Sequence, residues 1–380
     1  MQGVIGLVSV FGEKSGLGKS DLTEVVQDEC FLLLIPHSRP TISEQDIKAV
    51  ADVLASGRIS MGEKVEEFEE AVARYVGTKC GVAVSSGTAA LHLALLGLGV
   101  GLGDEVIIPS FVCSSLYFAV KHVGGVPKIA DVDSQDLNVS AEGVRRLIGS
   151  KTKAVVVPHM FGMPAELDEM LELGVPIIED CAQSLGAEYR GRKVGGFGVV
   201  SILSFYATKV ITSGEGGMVL TGDEDLCSRI SDLREYDKKA LTPVKYNYKM
   251  ADFQAALGLS QLSRLDDFIL RRRRVASEYG QFLSRFRVKL PSERAHKNSV
   301  FYRYVIMVDE LEKIQTALKK NGVMCERPVF QPLHRGLTSF KCPNSDLAYD
   351  HALSIPIYPM LSEEEIEYVF HVFDEFMPRN

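Results

Sequence analysis

Short apolar runs alternate with helix-length segments along most of the chain. Seven runs have the length and β-branched content of buried strands, at 81–86, 105–110, 126–131, 154–159, 175–180, 199–206 and 216–222. Strands this apolar, separated by helical segments, are typical of a mostly parallel sheet with both faces covered by helices. The pattern therefore predicts an α/β fold.

Helical periodicity marks the start of the regular region. Residues 41–44 have the spacing of a capping box, and Ile47, Val50 and Leu54 follow on one helical face that ends at Gly57. This pattern predicts a helix with that apolar face turned toward the core.

The pattern changes after about residue 285. Long helices are expected at 249–283, a strand at 301–308 and a helix at 310–321. A last helix begins at the capping box 362–365, and its apolar stripe consists of Ile366, Val369, Phe370 and Phe373. We therefore expect three parts: an N-terminal extension at 1–35, a large α/β domain at 36–284 and a small α+β domain at 285–380.

One segment of the extension resembles a nucleotide phosphate loop. In Gly12–Ser20, however, Glu13 occupies the position where that motif requires its first glycine, and the apolar strand before it is poor. A flexible extension is the simpler interpretation.

Composition narrows the possible partners and compartment. The 380 residues carry 42 Lys+Arg against 50 Asp+Glu, a net charge of −8, and are 46% hydrophobic. This balance excludes a disordered chain and argues against nucleic acid as the main partner. The basic run at 271–274 is accordingly interpreted as a solvated helix face or a subunit contact.

Seven scattered cysteines form no CxxC pair, so neither a disulfide framework nor a zinc site is predicted, and a reducing cytosol fits best. No signal peptide and no membrane span are expected.

Polar residues that end apolar strands are candidates for chemistry, because ligands bind outside the carboxyl ends of the strands in open α/β sheets. Residues 85–90, SSGTAA, lead from a strand into a helix, where small residues and free N–H groups favour a phosphate. An ordinary serine or threonine cap is the alternative.

Two further strand ends carry charged residues, and a polar cluster precedes the next helix. Asp180 follows the run at 175–178, where a cation would be its natural partner, although a surface acid or a helix cap is equally compatible. Lys209 follows the run at 199–206; burial lowers the pKa of a lysine toward the range useful for Schiff-base chemistry, whereas a surface lysine is the alternative. The cluster at 246–250 could be a cap and nothing more.

A phosphate seat, a buried acid and a lysine together match the needs of pyridoxal 5′-phosphate. Here the sequence resembles the DegT/DnrJ/EryC1/StrS family of sugar aminotransferases, of the aspartate aminotransferase fold type I, over about residues 36–378. The motifs that carry this resemblance are SSGTAALHLAL at 85–95, GDEVIIPSF at 103–111, PHMFG at 158–162, IEDCAQSLGA at 178–187, SFYATK at 204–209, SGEGGMV at 213–219 and YNYKMADFQAALGL at 246–259.

The resemblance implies a role for each matching residue. It implies that Lys209 forms the internal aldimine, that Asp180 pairs with the pyridine nitrogen and that Gln183 lies by the ring hydroxyl. It further assigns the phosphate contacts to Gly87, Thr88, Ala89, Ser204 and, from the neighbouring subunit, Asn247, so a homodimer with shared active sites is expected.

One position departs from the family pattern, and another supports it. Many relatives have an aromatic ring stacked on the cofactor where this chain has Cys113, which implies weaker cofactor retention without loss of activity. A family branch that removes hydroxyl groups has histidine where this chain has Lys209, which favours the transaminase interpretation.

The implied reaction is a ping-pong transfer. An amino acid, glutamate by analogy with the family, converts the cofactor to pyridoxamine 5′-phosphate, which then aminates a keto sugar attached to a nucleotide. Arg234 and His334 are candidate substrate contacts, with a structural ion pair and a loop residue as their alternatives. His159 is a candidate near the cofactor or a satisfied core histidine, and Tyr206 is expected to pack under the lysine.

Two other functions remain open from the sequence. The enzyme could instead aminate a free keto-cyclitol or keto sugar, or the protein could bind the cofactor without catalysis, as a regulatory protein. No metal site is predicted in either case.

Overall fold

The computed structural model describes residues 33–292, 294–337 and 340–379. The phosphate-loop-like segment and nearly all of the predicted extension lie outside these residues. The strands are β1 (Cys80–Val84), β2 (Glu105–Pro109), β3 (Val126–Ala130), β4 (Thr152–Pro158), β5 (Ile177–Asp180), β6 (Glu188–Tyr189), β7 (Arg192–Lys193), β8 (Val200–Ser204), β9 (Gly217–Thr221), β10 (Lys297–Asn298), β11 (Tyr304–Met307) and β12 (Ala352–Ile355).

Helices connect and cover these strands. They are α1 (Glu44–Ser56), α2 (Glu63–Val76), α3 (Gly87–Gly97), α4 (Ser115–His122), α5 (Ala141–Arg145), α6 (Leu167–Leu171), α7 (Glu224–Arg234), α8 (Asp252–Leu262), α9 (Leu265–Leu283), α10 (Leu311–Lys320), α11 (Pro343–His351) and α12 (Glu363–Phe376). Short 3₁₀ turns lie at Met160–Gly162 and Leu333–Gly336. No described helix is both long enough and apolar enough to cross a lipid bilayer.

The seven predicted strands form one sheet in the order β1-β9-β8-β5-β4-β2-β3. Only β9 runs against its neighbours, β1 and β8. The link from β8 to β9 is too short for a crossover helix, so the chain turns back and pairs antiparallel. The α/β fold with a mostly parallel sheet is confirmed, and Lys209 lies in this short link.

Alternate residues of the strands enter two cores on opposite faces of the sheet. In β4, Val155 and Val157 belong to one core, while Ala154 and Val156 belong to the other. This alternation is what a sheet covered on both faces requires.

A third core forms around β11, β12, α10, α12 and the second half of α9. Phe268 of α9 packs in a sheet core, whereas Tyr279, three turns later, packs in the third core. Ile35 also packs there and bridges to Val323. The domain boundary at 284/285 stays a prediction.

The predicted start and buried face of the first helix are wrong. Ser43, not Thr41, caps α1, because the Asp46 carboxylate accepts a hydrogen bond from the Ser43 N–H at 2.8 Å while the Ser43 hydroxyl accepts one from Asp46. Ile47 and Leu54 are 55% and 54% exposed, and Val53 is the buried apolar residue.

Two other expectations also fail. Cys80 of β1 and Cys227 of α7 form a disulfide with Cα atoms 6.3 Å apart; sequence spacing carries no signal for it, because 147 residues separate the pair. Arg272, expected on a solvated face, is 3% exposed because it lies on the helical stripe that also contains Phe268 and Tyr279.

Candidate active site

The start of α3 lies directly against the end of β8. Ser86 caps the helix by accepting a hydrogen bond from the Ala89 N–H at 3.1 Å. A Cβ atom on Gly87 would stand only 2.8 Å from the Cβ of Ser204. The first N–H groups of a helix have no partner within the helix, so they and the Ser204 hydroxyl offer donors to one anion.

Asp180 ends β5, the strand next to β8, and is 7% exposed. Burial raises the pKa of this carboxyl group above its usual value, although the Ala182 N–H, which donates to Oδ1 at 3.0 Å, and the charge of Lys209 act in the opposite direction. A buried acid with so little compensation needs a cationic N–H partner.

Lys209 follows β8 in a turn closed by the hydrogen bond from its N–H to the Tyr206 carbonyl at 2.9 Å. Its Nζ lies 5.2 Å from the ring centroid of Tyr302. In the described parts of the chain no carboxylate lies within ion-pair distance of this amine. Tyr206 itself is 46% exposed, and its packing under the lysine stays a prediction.

Gln183 follows Asp180 by one turn and holds the loop after β4. Its Oε1 accepts a hydrogen bond from the Phe161 N–H at 2.9 Å. Phe161 has a left-handed backbone, with φ 60°, and the next residue is Gly162, with φ 92°. Gln183 thus stabilises an unfavourable turn beside Asp180, a role that its sequence position does not reveal.

His159 is a satisfied core histidine. Its Nε2 lies 3.2 Å from Glu179 Oε2, and its Nδ1 accepts a hydrogen bond from the Ala165 N–H at 3.0 Å, so the proton lies on Nε2. Burial alone would raise the pKa of Glu179, but hydrogen bonds from His159 and from the N–H groups of Gly198 and Gly195 lower it. His159, Glu179 and Cys181 lie close enough to share a metal ion. However, the ring nitrogens of His159 and the carboxylate of Glu179 are already engaged in the hydrogen bonds described above.

The model of the DegT/DnrJ/EryC1/StrS aminotransferase family matches residues 40–374. The chain belongs to this family. It is a pyridoxal-phosphate-dependent transaminase.

Individual relatives agree over nearly their whole length. GDP-perosamine synthase from Escherichia coli O157:H7 is 34% identical, covering 90% of this chain and 98% of the relative. The solved aminotransferase TlmJ from Streptoalloteichus hindustanus superimposes with a TM-score of 0.85 at 32% identity, covering 89% of this chain and 97% of TlmJ. Spr1654 from Streptococcus pneumoniae, solved in a PLP form, gives a TM-score of 0.85 at 26% identity, covering 90% and 98%.

The described residues fit the cofactor of this family. The Gly87–Ser204 contact leaves a cradle at a helix start that suits its phosphate, and the poorly compensated Asp180 suits a protonated ring nitrogen. Lys209, which has no ion-pair partner in the described residues, supplies the amine.

The two candidate substrate contacts, Arg234 and His334, have protein partners. Arg234 is 7% exposed and pairs with Glu69, while its NH1 also donates to the Ala83 carbonyl at 3.0 Å. The structure favours the ion-pair interpretation of Arg234. His334 lies between Ser110, with its Nδ1 2.6 Å from the hydroxyl, and Asp346, with its Nε2 3.2 Å from the carboxylate. It therefore links the loop after β2 to α11.

Two further candidates, Cys113 and Asn247, are exposed. Cys113, at the position where many members of the family stack a ring, is exposed. Phe111 is fully buried and packs edge-on to Phe161, 6.4 Å away, so it is not the missing ring. Asn247 is exposed between Tyr246 and Tyr248, whose rings stack at 5.1 Å.

Sequence reasoning missed Tyr302 and Arg303. They lie in a segment recognised only as part of a strand, 93 and 94 residues after Lys209 in the chain. Tyr302 is 6% exposed, and its hydroxyl lies 3.2 Å from that of Thr208, beside the lysine. No local pattern in the sequence connects these positions.

Proposed function

We propose that this protein transfers an amino group from an amino acid, L-glutamate, to a keto sugar that is linked to a nucleotide. The observation that carries the proposal is the arrangement of Asp180 and Lys209 at the ends of neighbouring strands, beside the start of α3. The relatives include a GDP-perosamine synthase, whose name describes an amino sugar made on a nucleotide.

Each group of residues has a separate task. Pyridoxal phosphate supplies an aldehyde that exchanges amino groups and a ring that withdraws electrons. Lys209 would hold the aldehyde and, once released, would carry a proton on its Nζ, a role worth about 10²–10⁴-fold in rate. Asp180 would pair with the ring nitrogen and keep it protonated.

The phosphate and the ring hydroxyl are held by the surrounding backbone. The phosphate is assigned to Gly87, Thr88 and Ala89 at the start of α3 and to the Ser204 hydroxyl. The N–H groups of Gly87 and Thr88 and the two hydroxyls of Thr88 and Ser204 are the donors, because the Ala89 N–H already donates to Ser86. Gln183 fixes the Phe161 turn through Oε1 and has its amide available for the ring hydroxyl. Cys113 would cover less of the cofactor ring than the aromatic side chain that many family members have at this position. We therefore expect weaker cofactor binding than in those members.

We further propose a homodimer in which Asn247 reaches the phosphate of the neighbouring subunit. Exposed apolar residues support a covered surface here: Leu241 is 95% exposed and Val244 is 72% exposed, in the loop that leads to Asn247. On α1, Ile47 and Leu54 are half-exposed. Large apolar residues this exposed are typical of a surface buried by another subunit. A cytoplasmic location stays a prediction.

The test is amino transfer in two separated steps. The purified holoenzyme is mixed with L-glutamate, and loss of the visible absorbance of the lysine-bound cofactor reports the first step. The aminated form is then given a panel of nucleotide-linked 3-keto and 4-keto sugars and their free counterparts, and the return of absorbance identifies the acceptor.

Each outcome decides between the functions that remain. Return of absorbance with a nucleotide-linked sugar supports the proposal. Return only with free keto-cyclitols or free keto sugars would assign the alternative substrate class. An absorbance that no amino acid changes would indicate a regulatory protein that binds the cofactor without catalysis.

A further inference from the structure

Tyr248 is attached at two points to the segment that carries the proposed phosphate site. Its carbonyl accepts a hydrogen bond from the Ser85 N–H at 2.8 Å, and its hydroxyl lies 3.1 Å from His92 Nδ1. Ser85 directly precedes the residue that caps α3, and His92 lies in the second turn of that helix. Tyr248 therefore lies along the first two turns of α3.

The neighbours of Asn247 turn toward α3, whereas Asn247 does not. The rings of Tyr246 and Tyr248 stack on each other at 5.1 Å and lie 4.9 and 5.9 Å from the ring of His92. Asn247, between them, is exposed. Side chains that alternate in this way are typical of an extended segment. Asn247 thus faces away from the α3 of its own subunit.

The backbone of this segment is also held on the side of α7. The Tyr246 N–H donates to the Leu233 carbonyl and the Tyr248 N–H to the Arg234 carbonyl, both at 2.9 Å. The segment is therefore fixed between α7 and α3, and the position of Asn247 depends on both helices.

His92 is a costly residue for the interior of α3. It is 5% exposed, and its Nε2 forms no hydrogen bond with any described residue. Burial and the neighbouring His122 lower the pKa of His92, so the ring is uncharged at neutral pH. A buried polar atom without a partner destabilises a fold, so an apolar residue here would serve stability better. What His92 contributes is its contact with Tyr248.

We propose that His92 is a positioning residue that acts through Tyr248. It fixes Asn247 relative to α3 of its own subunit and so orients Asn247 toward the phosphate of the neighbouring subunit. The inference rests on the proposed function, because it concerns the dimer proposed there. It follows that α3 of one subunit supports cofactor binding in the other.

The first test is a double-mutant cycle on cofactor affinity, measured by titration of the visible absorbance. Tyr248→Phe should weaken cofactor binding about 3- to 10-fold, the effect of losing one neutral hydrogen bond. In an Asn247→Ala background the same change should cost less than about 2-fold, because the residue that Tyr248 positions is gone. Tyr246→Phe is the matched control, since its hydroxyl forms no hydrogen bond in the described parts of the chain.

The second test uses hybrid dimers, which separate an effect on the neighbouring site from a local one. One subunit carries Lys209→Ala, so the absorbance of the lysine-bound cofactor reports only the site of the other subunit. Tyr248→Phe in the Lys209→Ala subunit should weaken the reporting site about 3- to 10-fold, because Asn247 of that subunit completes it. Tyr248→Phe in the reporting subunit should leave this site within about 2-fold of the hybrid that lacks the change.

Variants of His92 test the origin of the effect. His92→Leu should weaken cofactor binding as much as Tyr248→Phe, while the thermal midpoint of the cofactor-free protein stays equal or rises because the unpaired nitrogen is removed. His92→Asn keeps a polar group near the position of Nδ1 and should recover part of the affinity. Equal affinities of His92→Leu and His92→Asn would assign His92 a packing role and overturn the inference. If His92→Leu does not fold, the hybrid dimers with Tyr248→Phe decide.

The other outcomes distinguish the inference from the proposed function. A Tyr248→Phe effect confined to the subunit that carries it, or one that persists in full without Asn247, would overturn the inference. An effect on the neighbouring site, in a protein that aminates no sugar, would retain the inference and refute the proposed reaction. A protein that transfers amino groups as a monomer would refute the dimer, and the inference with it, and retain the reaction.

Discussion

Gly87 and Ser204 lie so close together that a Cβ atom on Gly87 would stand 2.8 Å from the Cβ of Ser204 and 3.2 Å from its hydroxyl. The helix start of α3 and the end of β8 therefore meet only because residue 87 has no side chain. This contact brings the free N–H groups of a helix to the strand that leads to Lys209.

Gly87→Ala should weaken the proposed phosphate-binding site. The added methyl group must displace Ser204 or the start of α3, at a cost of about 1–3 kcal/mol. We expect the dissociation constant of pyridoxal phosphate, measured by titration of the visible absorbance, to rise about tenfold or more. Gly101→Ala is the control, because a Cβ there meets nothing within 4 Å. An unchanged cofactor affinity in Gly87→Ala would place the phosphate elsewhere.

Lys209→Ala should abolish amino transfer while the fold remains intact. The side chain has no ion-pair partner in the described residues, so its removal costs little stability, whereas proton transfer by a positioned group is worth about 10²–10⁴-fold. The turnover rate and the thermal unfolding midpoint are the measurements. Lys193→Ala, which removes a surface partner of Glu188, should retain turnover. Normal transamination by Lys209→Ala would refute the assignment.

Glu179→Gln should destabilise the protein at neutral pH. Both carboxylate oxygens accept hydrogen bonds from N–H donors: Gly195 and His159 on one, Phe197 and Gly198 on the other. An amide cannot accept on its nitrogen, so buried donors lose their partner, and we expect a loss of about 1–3 kcal/mol in the free energy of unfolding. Urea denaturation at pH 7 measures this loss.

The same variant carries a pH signature. Because the folded-state pKa of Glu179 lies below its ordinary value of 4.5, the carboxylate stabilises the fold above that value, and this stabilisation is lost as the pH falls through the folded pKa. The stability difference between wild type and Glu179→Gln should therefore shrink in acid. Glu169→Gln, which changes an exposed carboxyl group, is the control. A pH-independent difference for Glu179→Gln would contradict this account.

Leu241→Asp and Leu54→Asp should weaken the proposed dimer. Each change places a charge on an apolar residue that is more than half-exposed, in a surface that we assign to the subunit interface. Analytical ultracentrifugation should show a shift toward monomer, accompanied by weaker cofactor binding because Asn247 no longer reaches the neighbouring site. Leu102→Asp is the control, since Leu102 is as exposed as Leu241 but precedes β2, which lies toward the end of the sheet far from β1. A dimer equally stable in all three variants would exclude this surface.

Local patterns predicted the strands and the last helix well. Each of the seven apolar runs overlaps a strand of the central sheet, and Ser362 caps α12 through the box with Glu365. These features depend on side-chain alternation and on hydrogen bonds between residues three apart. The predicted start of α1 is wrong because two possible caps, Thr41 and Ser43, each precede an acidic residue by three positions. The contact of Asp46 with Ser260 at 2.6 Å favours Ser43.

Interpretations of single polar residues succeeded less often. His159 and Arg234 are both functional candidates by position, yet Glu179 and Glu69 pair with them in the interior. The acid partner of His159 lies 20 residues away in the sequence, and that of Arg234 lies 165 residues away. Sequence spacing therefore does not indicate either ion pair.

The sequence by itself determined the order of strands and helices, the family and the identity of the residues that meet at one edge of the sheet. Hydrophobic alternation and contiguous motifs involve residues close together in the chain, so they can be recognised from the sequence alone. Only the tertiary structure decided which charges are paired. It joined Arg234 to Glu69, left Lys209 and Arg303 without an acid within the described residues, and set both beside Tyr302, because compensation of a buried charge depends on neighbours that the fold brings together from distant positions.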